Sequence, residues 1–368
     1  MRIMALVGTR PEAIKMAPVT DALIARGLTP ALIVTGQHPD LDPAAYGLTG
    51  EPVHRLQCQG MPDPRAHAGL VAETVAPLLA TNCDLLLVHG DTSSALGGAM
   101  AAFDLGVPLG HVEAGLRSFD RANPWPEEDN RVTIDAYASL LFAPTDTSAA
   151  NLVREGLSGE IHVTGNTAID ALQRVVGPLP QRSDRRPDKP KLLVTCHRRE
   201  NWGTKLTPIA LALLDIARSG LAQVEVVLHP NPAMADAVRL FLAEEPGVTL
   251  LPPLPHGEMI AAMRRATVIL SDSGGVQEEA PALGVPLLVL RERTERPEGI
   301  ASGNMRLAGT VREEIVGEVT RLLTDAVAYA AMSSPTLPYG DGHAGPRIAA
   351  AIEDWLERHL QAEERLIA

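Results

Sequence analysis

Short, mainly apolar runs recur along this chain, each closed by a polar or glycine-containing turn. Ile3–Val7, Ala31–Thr35, Leu85–Val88 and Val107–Val112 are such runs in the first half. Lys191–Val194, Val224–Leu228, Val248–Leu251, Val268–Leu270 and Pro286–Leu290 repeat the rhythm in the second. Hydrophobicity that is continuous rather than alternating belongs to strands buried on both faces, the situation of a parallel sheet covered by helices. The segments Pro11–Arg26, Ser94–Leu105, Thr207–Ser219, Ala233–Glu244, Glu258–Ala266 and Glu313–Asp325 carry helical spacing, and Pro11 suits a first helical turn. The predicted fold class is therefore α/β, with doubly wound parallel sheets.

A chain of 368 residues is long for one domain and comfortable for two of about 150–200. The clearest break is Gly177–Pro190, which is proline-rich, charged and without apolar periodicity. The expected organisation is residues 1–176 as one domain, 177–190 as a linker and 191–368 as a second. A final helix near His343–Leu360 either completes the second domain or crosses back to the first. The formal net charge of −13 and an aromatic share of 3 % lack the basic, stacking footprint that nucleic acid or an anionic membrane needs. Cys58, Cys83 and Cys196 give neither a closed disulfide framework nor a metal-ligand spacing. No apolar stretch reaches the roughly 18–20 residues of a membrane span, and the first one is too short for a signal peptide. The expectation is a cytoplasmic protein with no metal, nucleic-acid or membrane partner.

Ligands of doubly wound sheets bind beyond the carboxyl ends of strands, and polar clusters sit at almost every such end. After the first strand come Arg10 and Lys15, two cations about a helix N-terminus that read as an anion site or as a capped turn with a solvent-facing lysine. Asp91 lies in His89-Gly90-Asp91-Thr92-Ser93-Ser94, placed to act as a base or to cap the next helix. Glu113 ends the following strand, and Glu127 falls in a segment whose path Pro124 and Pro126 define. In the second half, Ser273-Gly274-Gly275 is a small-residue turn between a strand and a helix, suited to bring backbone N–H groups to a phosphate. Glu279 stands about a turn into that helix, placed to accept from ribose hydroxyls, and a cation-rich run that includes Arg296 follows the next strand. No Gly-x-Gly-x-x-Gly follows an apolar run, and no P-loop or nucleophile elbow occurs, so no bound dinucleotide or acyl-enzyme is indicated.

Taken together, Gly8–Pro18, His89–Thr92, His111–Arg117, Pro126–Glu128 with Asn130-Arg131, Gly165–Thr167, His197–Glu200, Ser271–Gly275 with Gln277–Glu279, Thr294–Glu298 and Pro338–Gly342 occur collinearly over nearly the whole chain. This set resembles the non-hydrolysing UDP-N-acetylglucosamine 2-epimerases. The resemblance implies two Rossmann-like domains facing a cleft, similar to the GT-B glycosyltransferase architecture, with UDP held mainly by the second domain. It implies a homodimeric isomerase without cofactor that interconverts UDP-N-acetylglucosamine and UDP-N-acetylmannosamine for cell-envelope polysaccharides. The implied route is elimination of UDP to 2-acetamidoglucal and re-addition with C2 inverted. A hydrolysing relative, releasing free N-acetylmannosamine and UDP, is the alternative.

Carried over by position, Asp91, Glu113 and Glu127 match the family's three active-site carboxylates, and His197 a histidine near the diphosphate. Arg10 and Lys15 match nucleotide-contacting cations. Ser273, Gly274 and Gly275 match the phosphate turn, Glu279 the ribose acceptor and Arg296 a further ligand contact. Gln37 and His38 match an activator site at which family members bind a second substrate molecule. The chain departs from the family there, with Pro39-Asp40 and Gly60-Met61-Pro62-Asp63-Pro64 replacing the family's usual runs, and in the uracil-side segment Pro252–Met259, with Met259 where an aromatic is common.

Overall fold

Each strand pairing among the described residues is parallel, as the continuous apolar runs require. The structure, a computed structural model, describes residues 2–178, 189–196, 198, 201 and 203–367. Contacts divide the chain into two compact units, Met1–Ala171 with Tyr339–Ala368, and Leu172–Pro338. Ten residues of the expected linker, 179–188, lie outside the described residues.

In the first unit the chain runs β1 (Ile3–Val7), α1 (Arg10–Ala25), β2 (Ala31–Val34), β3 (Val53–Arg55), α2 (Pro64–Asn82), β4 (Leu85–His89) and α3 (Ser93–Leu105). It continues through β5 (Leu109–Val112), α4 (Glu127–Tyr137), β6 (Leu140–Ala143), α5 (Asp146–Arg154) and β7 (Glu160–Val163), and α6 (Thr167–Val176) contains the boundary to the second unit. The sheet order is β3-β2-β1-β4-β5-β6-β7. The second unit contains β8 (Lys191–Thr195), α7 (Leu206–Arg218), β9 (Gln223–Val227), α8 (Pro232–Leu242), β10 (Val248–Leu251), α9 (His256–Arg265) and β11 (Val268–Ser271). After these come α10 (Gly274–Leu283), β12 (Leu287–Val289), α11 (Pro297–Ala301), β13 (Met305–Leu307), α12 (Arg312–Thr324) and α13 (Ala326–Met332). Its sheet order is β10-β9-β8-β11-β12-β13. In each sheet the strand order reverses between two neighbours, β1 and β4 in one, β8 and β11 in the other. Such reversals open a crevice at the strands' carboxyl ends, where doubly wound folds bind ligands.

The last helix, α14 (Ala344–Ile367), belongs to the first unit. Its Ile348, Ile352, Trp355 and Leu356 join Met16, Leu23 and the buried side chains of β1 and β2 in one core cluster. A Cβ on Gly345 would stand 2.5 Å from the Pro18 carbonyl, so only glycine lets α14 lie this close to α1. Asp170 fixes the helix start by accepting from the N–H groups of Ala344 and Gly345 at 3.1 and 2.8 Å. The opposite face of the same sheet is covered by α2 and α3 through Val71, Val75, Ala95 and Ala99. In the second unit α7 and α12 pack Leu213, Ile216, Ile315 and Val319 against β8 and β9.

The structure adds elements that the apolar runs do not mark. Strands β3 and β7 lie at sheet edges with half-exposed or exposed side chains, so no continuous run announces them. In β13 the central Arg306 is exposed. The Gly60–Pro64 departure is a helix start, where Asp63 accepts from the N–H groups of Arg65 and Ala66 and Pro64 opens α2. No helix among the described residues is long and apolar enough to cross a membrane.

Because Ile352 is 0 % exposed within the α1–α14 core, Ile352→Ala is expected to cost about 2–5 kcal/mol. Urea unfolding, read as a lowered midpoint at constant slope, checks this.

Candidate active site

The turn after β1 is closed by its own acid. Glu12 Oε2 accepts from Gly8 N at 2.8 Å, Thr9 N at 2.6 Å and Thr9 Oγ1 at 2.8 Å. Its Oε1 accepts from Thr92 Oγ1 at 2.6 Å, tying the α1 turn to the turn after β4. Burial pushes the Glu12 carboxyl up despite these donors. Thr92 also caps α3, accepting from Ala95 N at 3.0 Å. Of the two uses the sequence leaves open at His89–Ser94, capping therefore falls to Thr92. The Asp91 carboxylate turns instead to Arg131, at 2.5 Å, and its carbonyl accepts from Asn130 Nδ2 at 2.8 Å.

Glu113 stands just past β5 with φ +74°, the left-handed region that side-chain-bearing residues avoid at a cost of about 1–3 kcal/mol. Such a conformation persists only when its surroundings over-determine it. Glu113 N donates to the Phe142 carbonyl at 3.1 Å, Lys15 Nζ meets Glu113 Oε1 at 2.5 Å, and Asn166 Nδ2 donates to the same oxygen at 3.2 Å. Glu113 is 9 % exposed, so the pair is nearly dry. Lys15 is thus directed into the protein, not to solvent.

Glu127 opens α4 and is half-buried, whereas Glu128 beside it is buried. Glu128 accepts from Ser118 N at 2.9 Å and Phe119 N at 3.0 Å and pairs with Arg131 at 2.9 Å. Arg131 thereby joins the Asp91 turn to α4. A second chain of charges lies beneath. His111 Nδ1 meets Asp135 Oδ1 at 2.6 Å, Arg117 meets Asp135 Oδ2 at 2.7 Å, and Arg117 donates to both oxygens of Glu155 at 2.7 and 2.6 Å. Burial would raise Asp135, but His111 and Arg117 together hold it below the usual carboxylate range. Burial would lower Arg117, and Glu155 with Asp135 hold it up.

Arg10, the first residue of α1, is exposed, and its N–H donates to His38 Nδ1 at 3.4 Å. Burial, then the charge of Arg10, holds His38 below its ordinary range. Ser94 donates to Gln37 Oε1 at 2.7 Å, and His38 N donates to the Gly8 carbonyl at 3.0 Å. The structure thus brings Gln37, His38 and Arg10 together beside the α1 turn.

In the second unit the β11–α10 turn is built on paired hydroxyls. Ser271 and Thr195 hydrogen-bond each other at 2.6 Å, and Ser273 N donates to Ser271 Oγ at 3.0 Å. Asp272 accepts from Arg198 N at 2.9 Å and Asn201 Nδ2 at 2.8 Å, fixing the loop after β8 against the turn. Burial and Asp272 raise the Cys196 thiol well above its ordinary value. His197 lies outside the described residues. Ser273 is the N-cap of α10, Gly274 and Gly275 form its first turn, and no described atom lies within 4 Å of a Cβ placed on Gly275.

Arg296 sits behind that turn, 6 % exposed, donating to Glu278 Oε1 from Nε at 2.8 Å and Nη2 at 2.7 Å and pairing with Glu295. A Cβ on Gly274 would fall 2.9 Å from Arg296 Nη2, so a larger residue there would have to push the guanidinium off its place against Glu278. Glu279 is buried, with Oε1 2.7 Å from His256 Nε2.

Sequence reasoning assigned no role to Arg131, Asp135, Asn166, Glu278 or Glu295. A signal was present in α4, where Glu128, Arg131 and Asp135 stand at i, i+3 and i+7. Three charges on one helix face mark either a solvated stripe or an internal ion network, and burial decides for the second.

The chain is similar to proteins of one family along nearly its whole length. The family model for UDP-N-acetylglucosamine 2-epimerase matches residues 22–353. An Escherichia coli K12 UDP-N-acetylglucosamine 2-epimerase is 42 % identical over 374 residues, covering 96 % of this chain and 99 % of its own. The crystal structure of UDP-GlcNAc 2-epimerase from Neisseria meningitidis bound to UDP-GlcNAc matches with TM-score 0.87 at 32 % identity, covering 96 % of this chain and 100 % of that one. The Methanocaldococcus jannaschii UDP-GlcNAc 2-epimerase in complex with UDP-GlcNAc and UDP matches with TM-score 0.84 at 31 % identity, covering 96 % and 99 %.

A carboxyl held low in the folded state contributes its full stabilisation above its unfolded pKa of about 3.9, and that contribution is lost as pH falls through the lower folded value. Asp135 is such a group. Asp135→Asn is expected to lower the urea midpoint near neutrality and to flatten its decline below about pH 5. An acid limb as steep as the parent's would locate that pH dependence elsewhere.

Proposed function

The chain belongs to the UDP-N-acetylglucosamine 2-epimerase family, and on that premise we propose that it reversibly inverts C2 of UDP-N-acetylglucosamine to give UDP-N-acetylmannosamine. The C2 proton of this sugar is not beside a carbonyl, so direct abstraction is too slow. The proposed route removes the proton from C2 as the C1–oxygen bond to UDP breaks. The C2–H electron pair becomes the C1=C2 bond of 2-acetamidoglucal, and the departing UDP takes the C1–O pair. In return, a UDP oxygen attacks C1 while a proton is delivered to the opposite face of C2.

The observation that carries this reading is the pair of carboxylates at strand ends of the first unit, Glu113 and Asp91, each directed by a partner from another segment. Lys15 and Asn166 direct Glu113, and Arg131 directs Asp91. Acid–base catalysis needs groups held in one orientation on either side of the reacting carbon, which such bracing supplies. Glu127 supplies the third acid from the first turn of α4. In the second unit the N–H groups opening α10 suit the diphosphate, and Glu279, with His256 beside it, suits the ribose hydroxyls. The intact Gly8–Lys15 string favours the non-hydrolysing reaction over release of free sugar.

NMR of a reaction in D2O tests both points. UDP-N-acetylmannosamine is expected, with deuterium at C2 of the product; dominant free N-acetylmannosamine, or inversion without exchange, would overturn the mechanism. Glu113→Gln and Glu127→Gln are each expected to lower turnover by about 10²–10⁴-fold. Calorimetric affinity for UDP should persist in both variants, and its loss would contradict the division of labour.

A further inference from the structure

His111 is 0 % exposed, and both of its ring nitrogens face hydrogen-bond acceptors. Nε2 stands 2.8 Å from the carbonyl of Gly90, which has no proton to give. Nδ1 stands 2.6 Å from Asp135 Oδ1. Asp135 Oδ2 is already taken by Arg117 at 2.7 Å and by Gly115 N at 3.1 Å, a set of donors that suits a carboxylate and not a carboxylic acid. A neutral imidazole has one N–H and would leave one acceptor facing a lone pair in a dry interior.

We propose that His111 donates from both ring nitrogens, as an imidazolium, and is a positioning residue for the epimerisation. This rests on the reading of Asp91, Glu113 and Glu127 as the working acids and bases. The residue itself lies on β5, two positions before Glu113. One N–H grips the carbonyl immediately before Asp91, and the other grips α4, which begins at Glu127. A single buried side chain thus joins the three segments that carry the three carboxylates. The charges facing it alternate, His111 to Asp135 to Arg117, with the exposed Glu155 closing the series on Arg117.

The sheet keeps β5 against β4 without the histidine, through the Val88–His111 register and the bond from Gly90 N to the Val112 carbonyl at 3.0 Å. What the side chain adds is the direction of the Gly90–Asp91 peptide and the seat of α4. Displacements of about an ångström there are worth about 100-fold in rate.

The test is nitrogen-15 NMR of the full-length protein with labelled histidine, at about pH 8, where an unperturbed imidazole is neutral. His111, assigned by loss of its signals in His111→Gln, is expected to show two N–H protons that exchange slowly with water. One protonated nitrogen would overturn the proposal whatever the variants do. His111→Asn, which keeps a donor toward Asp135, and His111→Gln, which keeps one toward Gly90, are then assayed beside Asp135→Asn. Each is expected to lower kcat about 10- to 100-fold with KM for UDP-N-acetylglucosamine and affinity for UDP changed less than about threefold. Lower melting temperatures with kcat unchanged would make the residue structural only and would also overturn it. Failure of the parent chain to epimerise would instead sink the reading of function, and the NMR result would still decide the protonation.

Discussion

The Lys15–Glu113 pair, 2.5 Å long and almost wholly buried, links α1 to the end of β5 across 98 positions of sequence. Taking two charges from water costs several kcal/mol each, and their attraction offsets this only when geometry is good and remaining lone pairs are met. Asn166 meets one of them. The same constraint explains the backbone of Glu113. A left-handed φ is tolerable at a non-glycine residue because lysine, asparagine and the Phe142 carbonyl all require the side chain and amide to stand where they do. Removing Lys15 would take the ion-pair partner from a buried carboxylate on a strained residue, so the arrangement is coupled.

Around that pair the first unit is wired by charges drawn from different segments. Arg131 reaches both Asp91 and Glu128, and Arg117 reaches both Asp135 and Glu155. Each of these arginines faces two carboxylates, so the acidic excess of the whole chain, −13, is also present in these clusters. Arg296 makes the same point in the second unit, where Glu278 and Glu295 neutralise it behind the α10 turn.

How much of this the sequence reveals follows from what each residue must satisfy. Runs such as Leu85–Val88 are legible because burial on both faces leaves one composition. Edge strands β3 and β7 meet a weaker requirement and read as loops. The three carboxylates were legible by position, at strand ends and a proline-defined turn. Their partners were not, because a charge in α4 gives no sign of facing inward until the fold supplies Asp91 or His111 opposite it. Thr92 and Asp91 show the limit most sharply. Both can cap α3, and only the presence of Arg131, forty residues on from Asp91, settles which one is released for other work.

The two strand-to-helix turns that open α1 and α10 are alike in kind, yet they are used differently. A helix N-terminus offers orphan N–H groups and a positive dipole end to an anion. In the first unit that offer is taken by the protein itself. The Glu12 carboxylate lies where a phosphate oxygen would, receiving Gly8 N, Thr9 N and the Thr9 hydroxyl. In the second unit Ser273 makes no side-chain cap bond to α10, and the first turn is two glycines with no described atom beside the Gly275 Cβ direction. Arg296, paired with Glu278 and Glu295, lies against Gly274. A diphosphate competing for the first turn would have to displace a buried internal acid, and at the second it need displace none. The contrast between the two helix starts supports the proposed division of labour, proton chemistry in one unit and UDP in the other.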